Sequence, residues 1–284
     1  MKQKNKKKYT PKDDIIFKLL FGAEGKESRL KALLEAIINK PIKNLVLGKD
    51  THLLPEEVGG KAGVLDIFTI LEDGTKINIE LQTAQQSGFK QRLNFYMCKL
   101  YLRYVNKGTK YKDIPKSIVI FILDYVGFKK VSDYHLVFKM TEQKYKQEVI
   151  EGQEIHIIEL PKFRNTRPDL KDKLDQWLYF IDYEDKGMVD MAVKVNEEVR
   201  GASKEFKKII SKERREYLEF LKDKWRRDTM AREDFLLEQG EKRGIKKGQI
   251  VTARNMIKLD FEIDMIMKAT GLSLKDVEKL KSEF

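Results

Sequence analysis

An aspartate at position 66, a glutamate at position 80 and a glutamine at position 82 share the string GVLDIFTILEDGTKINIELQ, residues 63–82. At its centre Glu72-Asp73-Gly74 reads as a three-residue hairpin loop, with glycine at the position that needs a left-handed backbone. Leu71 then pairs with Thr75, and Asp66 stands directly opposite Glu80. Directly paired residues share a face. That face carries Asp66, Phe68, Ile70, Lys76, Asn78, Glu80 and Gln82, while Leu65, Ile67, Leu71, Ile77, Ile79 and Leu81 point the other way into a core. A two-residue Asp73-Gly74 loop would instead pair Glu72 with Thr75 and turn Asp66 and Glu80 to opposite faces.

Two carboxylates opposed at about 5 Å between their Cβ atoms repel unless a cation, a proton or a divergent orientation relieves them. A divalent metal is the economical relief. Mg²⁺ takes oxygen ligands, commonly only one or two carboxylates, and keeps water and substrate phosphate oxygens in its other positions. Such an ion activates water and stabilises charge on a phosphoryl group. An ordinary half-exposed strand with solvated acids fits the same short string, so the register decides between the two.

The next segment adds an independent signal. Phe89, Leu93, Met97, Leu100 and Tyr104 recur at spacings of three and four, the buried stripe of a helix over residues 89–106. Arg92, Tyr96, Lys99 and Arg103 run in a line beside that stripe. A basic line containing an aromatic suits a nucleic-acid backbone, and a solvated helix flank is the alternative.

Other elements must hold these residues. A helix is predicted from Thr10-Pro11 to a stop at Gly22, and a second, capped by Ser28, to Asn39-Lys40-Pro41. Apolar runs predict strands at 117–123, 134–140 and 155–160, after which strand signals vanish at Arg167 and amphipathic helical patterns take over. The expected class is therefore α/β (α+β), a mixed sheet flanked by helices with a helical C-terminal extension. The segments are a basic tail at 1–10, expected to be disordered, a core at 11–165, a helical extension at 166–248 and a small helix-turn-helix-like segment at 249–284.

Composition narrows the function. The 284 residues carry a formal net charge of +12, and residues 1–130 hold 25 basic against 14 acidic side chains, whereas residues 131–284 are nearly balanced. One half is built to meet phosphate. No apolar run approaches the roughly 18 residues of a membrane span and no secretory signal is present, which predicts a soluble, cytoplasmic protein. One cysteine, Cys98, allows no internal disulfide, and His52, His135 and His156 lie too far apart for a zinc-ligand spacing.

Asp66 with Glu80-Leu81-Gln82, Gly60-Lys61 before them and the opening Asp13-x-x-x-Phe17-Lys18 together resemble the recombination-promoting nuclease and transposase family, a branch of the PD-(D/E)XK nucleases. Ile158-Glu-Leu-Pro-Lys-Phe163, Glu238-Gln-Gly240-Glu-Lys-Arg-Gly244-Ile-Lys-Lys-Gly248 and Thr270-Gly-Leu-Ser273 are similar to it as well. The resemblance implies a restriction-endonuclease-like core and a Mg²⁺-dependent DNA endonuclease, with Mn²⁺ or Ca²⁺ as alternative ions. Asp66 and Glu80 would hold the metal, and Gln82 would fill the place of a lysine in the wider superfamily. Glutamine can orient a water there but brings no charge. Lys61 or a basic residue of the Arg92 helix is the expected source of the missing charge, and Glu35 is a possible additional acid.

Gly240, Gly244 and Gly248 repeat every four residues. Glycine inside a helix costs about 1 kcal/mol each relative to alanine, and close approach of another helix is one compensation. Homo-oligomerisation through the helical half is the expectation, with a flexible connector as the alternative. A DNA-binding or recombination accessory protein and a protein-interaction scaffold are the competing functions.

Overall fold

The computed structural model describes residues 9–48, 52–53, 63–64, 66–85, 87–103, 105, 107–146, 149–166 and 169–282. The chain divides into two compact units, residues 1–53 with 63–221, and residues 54–62 with 222–284.

The first unit opens with α1 (Asp14–Phe21) and α2 (Glu27–Ile38), followed by β1 (Leu45–Leu47) and a short antiparallel pair, β2 (His52–Leu53) and β3 (Gly63–Val64). The hairpin β4 (Ile67–Leu71) and β5 (Lys76–Gln82), α3 (Phe89–Leu102), β6 (Ser117–Leu123), β7 (His135–Thr141) and β8 (Val149–Glu159) complete the sheet region. Helices α4 (Leu160–Asn165), α5 (Lys173–Asp182), α6 (Lys186–Val195) and α7 (Glu197–Ile209) come next. The six-stranded sheet has the order β1-β4-β5-β6-β8-β7, with β5, β6 and β8 parallel and antiparallel pairs at both sides. This is the mixed sheet with flanking helices that the sequence predicts.

Both faces of the sheet are buried. One packs Ile67, Ile77, Ile79, Ile118, Ile120 and Ile158 against Phe17, Leu33, Trp177 and Phe206 of the helices. The other packs Phe68, Val119, Phe121 and Ile157 against Phe89, Leu93, Tyr96, Met97 and Leu100 of α3. Continuous apolar runs such as SIVIFIL in β6 suit strands covered on both sides.

Three local details differ from the sequence reading. α1 begins at Asp14, with Asp13 and not Thr10 in the cap position, and the Asp13 carboxylate makes no capping bond into the helix but turns back to accept the Thr10 N–H at 2.8 Å. α2 starts at Glu27 with Lys26 in the cap position, which puts Ser28 inside the first turn. β8 begins at Val149, six residues before the predicted start, since β7 pairs with Val149 and Ile150 and, past an irregularity that skips residues 151–153, again from Glu154 onward.

α8 (Arg215–Lys258) starts in the first unit, and its greater part belongs to the second. There α9 (Ile263–Thr270) and α10 (Leu274–Lys281) join it around Ala253, Ile266, Leu272, Val277 and Leu280. Gly271, at φ +71°, ends α9, and the Ser273 hydroxyl caps α10 by accepting the Asp276 N–H. Among the described residues no helix is long and apolar enough to cross a membrane.

α5 and α7 bury Trp177, Leu178, Phe180 and Phe206 in the same cluster as the sheet residues. A chain cut after residue 165 should therefore lose cooperative thermal unfolding, whereas one ending after residue 221 should keep it. Calorimetry of the two fragments checks this, and Trp177→Ala in the full chain should cost about 3–5 kcal/mol.

Candidate active site

The hairpin has the register that places the acids together. Ile67 pairs with Ile79, Phe68 with Asn78 and Ile70 with Lys76, which continues to Leu71 opposite Thr75 and Asp66 opposite Glu80. Gly74 takes φ +83° and donates to the Leu71 carbonyl at 2.9 Å, while the Leu71 N–H reaches Thr75 O at 2.9 Å. A β-carbon is disfavoured at that φ, so glycine sets the loop length and the loop length sets the face.

The two acids hold each other's strand. Glu80 Oε1 accepts the Asp66 N–H at 3.2 Å and Asn78 Nδ2 at 2.8 Å. Asp66 Oδ2 accepts the Leu81 N–H at 3.1 Å. Glu80 is only 2% exposed, so solvated acids on a half-exposed strand do not describe this pair. Burial first, and then the neighbouring Asp66 charge, push the Glu80 carboxyl up to about 8, against the pull of Asn78, the Asp66 N–H and Arg92.

A cation that the sequence pattern does not single out sits on Asp66. Lys18 Nζ lies 3.0 Å from Asp66 Oδ1 and 3.2 Å from Asp14. Burial works against its charge, but Asp66 and Asp14 outweigh it and hold the ammonium above its ordinary value. Asp14 is itself raised by burial and by Asp66. The signal was present in the string: Asp14 and Lys18 are four apart, off the Ile16, Phe17, Leu20, Phe21 stripe that α1 buries.

α3 lies across the same face. Its stripe is buried at Phe89, Leu93, Met97 and Leu100, as predicted, while Tyr104 lies outside the described residues. The line beside the stripe is not one solvent-facing row. Tyr96 is buried, with its ring edge on Phe121, and Arg92 donates to its hydroxyl at 3.2 Å. Burial and the Glu80 charge push the Tyr96 phenol up to about 12, so Arg92 and Tyr96 border the acids. Lys99 is half-buried, and the Arg103 guanidinium sits 4.6 Å over the Phe68 ring. Buried Lys76 donates to the Tyr101 and Arg103 carbonyls, tying the C-terminal end of α3 to β5.

Gln82 lies at the end of β5, 8% exposed. Its Oε1 accepts the Tyr125 hydroxyl at 3.0 Å, a partner the sequence did not reveal. Among the described residues Glu35 contacts neither acid: its Oε1 accepts the Ile42 N–H at 2.8 Å and lies 4.0 Å from Lys31. Lys61 lies outside the described residues. His135 and His156, distant in sequence, meet at 2.9 Å across the β7–β8 ladder, with Glu154 completing a chain of hydrogen bonds.

Among the described residues no group of three or more His, Cys, Asp or Glu side chains is arranged to hold a metal ion. Asp66 and Glu80 still fit a hard divalent ion held by two carboxylates, because the Asp66 charge raises its buried neighbour Glu80, a cation would relieve both, and such ions complete their shell with water and phosphate oxygens.

A mixed six-stranded sheet flanked by helices is the architecture of a restriction-endonuclease-like α/β protein. The model of the PD-(D/E)XK nuclease family transposases matches residues 11–233, and the chain belongs to that family. PD-(D/E)XK nucleases generally use divalent metal ions, and DNA is the substrate the family implies. No curated protein and no solved structure shows a significant match to the chain.

The Glu80 shift has a consequence for stability. A carboxyl raised in the folded state binds its proton more tightly there than in the unfolded chain, so stability is lost as pH climbs from the ordinary value of 4.5 to about 8. In EDTA the melting temperature should fall over that window, and Glu80→Gln should flatten the fall. Equal slopes for the two proteins would mean that Glu80 is ionised throughout.

Proposed function

We propose that this protein is a Mg²⁺-dependent DNA endonuclease that hydrolyses phosphodiester bonds in the service of recombination or mobile elements. The observation that carries the reading is the opposition of Asp66 and buried Glu80 beside Gln82. Asp66 and Glu80 would hold the ion, which when bound supplies an activated water and charge neutralisation at the phosphoryl group. The chain's own residues do the rest. Lys18 compensates Asp66 and Asp14, Arg92 offers a cation at the edge of the acids, and the basic residues of 89–130 grip the backbone.

Oligomerisation through the helical C-terminal half belongs to the same reading. Ile245, Val251, Leu259, Met265 and Leu274 are exposed, and a β-carbon added at Gly244 or Gly248 would meet nothing within 4 Å. A second copy would cover such a surface. One observation favours a second reading, a DNA-binding accessory protein with little turnover: glutamine stands where a charged lysine serves other nucleases of the superfamily.

Supercoiled plasmid separates them. The wild type should nick it in Mg²⁺ or Mn²⁺ and not in EDTA, and Asp66→Ala should lower the rate by at least about a hundredfold while leaving DNA binding intact. Binding without cutting in any metal would select the accessory reading. Affinity that ignores salt would remove both.

A further inference from the structure

The amide of Gln82 is held at one end only. Tyr125 donates to Oε1 at 3.0 Å, while Nε2, carrying two hydrogens, is buried and has no hydrogen-bond partner among the described residues. A donor left unmade in a buried place is costly, and native proteins retain few of them. Nε2 lies on the strand face that carries Asp66 and Glu80, because residues two apart on a strand project to the same side.

The arrangement has a sense, NH₂ end unpartnered and carbonyl end taken. Burial pushes the Tyr125 phenol up to about 12, so it keeps a proton that needs an acceptor, and Oε1 provides one. A reversed amide would turn its carbonyl oxygen toward the face of the two carboxylates, acceptor toward acceptor. Tyr125 is in turn fixed. Its ring meets Phe89 edge-on with centroids 5.6 Å apart, the Asp124 N–H bonds to Gln82 O at 2.9 Å, and the loop beyond is anchored where Gly127 and Phe128 donate to Glu159 Oε1 at 2.6 and 2.9 Å.

We infer that Tyr125 is a positioning residue that locks the Gln82 amide with its NH₂ toward the site, so that Gln82 donates a hydrogen bond to a non-bridging phosphate oxygen of DNA. In this role glutamine does not orient water as an acceptor. It replaces one part of a lysine's work, the donated hydrogen bond, and leaves the charge to other residues. The inference rests on the nuclease reading and deepens it, naming the substrate atom that Gln82 meets.

A double-mutant cycle on Tyr125→Phe and Gln82→Lys tests it, read by fluorescence anisotropy of a labelled duplex in EDTA and in Ca²⁺, and by single-turnover cleavage in Mg²⁺. An ammonium presents donors in every direction and has no wrong end, so it needs no orienting partner. Tyr125→Phe should weaken duplex binding about three- to tenfold in the wild-type background and by less than about twofold in the Gln82→Lys background. Gln82→Glu keeps an acceptor for Tyr125 and removes the donor, and should lose about tenfold or more in affinity. An equal Tyr125→Phe effect in both backgrounds, or wild-type affinity in Gln82→Glu, would overturn the inference. If the wild type binds and cuts while the cycle is additive, only this inference fails. If the wild type neither binds nor cuts, the nuclease reading fails first.

Discussion

The opposition of Asp66 and Glu80 across one hairpin is the constraint on which the rest of the site depends. Like charges so close, one of them 2% exposed, are unfavourable in isolation. The chain answers with every short-range device available: a neighbouring amide at Asn78, the backbone N–H of Asp66 and an ammonium from α1. None of these removes the strain on Glu80, whose proton is held far above the usual carboxylate range. A retained proton on Glu80 and the Lys18 ammonium on Asp66 are how the pair's charge is met. Under the function proposed above, a divalent ion would take the place of that proton.

Positioning comes from elements far apart in the chain. β5, β6 and β8 are parallel, and Gln82, the Tyr125 loop and Glu159 all lie at or just beyond their carboxyl ends. In open α/β sheets that edge is where connecting loops leave room for a ligand. α3 is pressed onto the adjoining face by its apolar stripe and tied at its last turn by Lys76, so Arg92 near its first turn has little freedom to leave the acids. Lys76 sits on the same strand face as Asn78, Glu80 and Gln82, and one strand thus carries both the site and the clamp that covers it.

What the sequence revealed was local. A three-residue loop Glu72-Asp73-Gly74 puts Asp66 opposite Glu80 by local arithmetic, once the two-residue alternative is excluded, and the spacing of Phe89, Leu93, Met97 and Leu100 marks which side of α3 is buried. What it concealed was tertiary. Lys18 meets Asp66 because α1 packs against the sheet, and Tyr125 meets Gln82 because β6 runs parallel to β5 with Leu123 beside Gln82. Neither contact leaves a spacing signature. Helical periodicity separates the flank of Arg92, Tyr96, Lys99 and Arg103 from the stripe but does not report how far a sheet wraps around a helix. Tyr96, one position from the stripe, falls inside.

The glutamine at position 82 follows from the charges already present. Asp14, Asp66 and Glu80 bring three acids, and Lys18 and Arg92 bring two cations within reach of them. A divalent ion on the pair would leave one net positive charge, which a single phosphodiester cancels. On the proposed reading, a neutral donor at position 82 supplies a hydrogen bond without adding to that charge, whereas a lysine there would add one more cation.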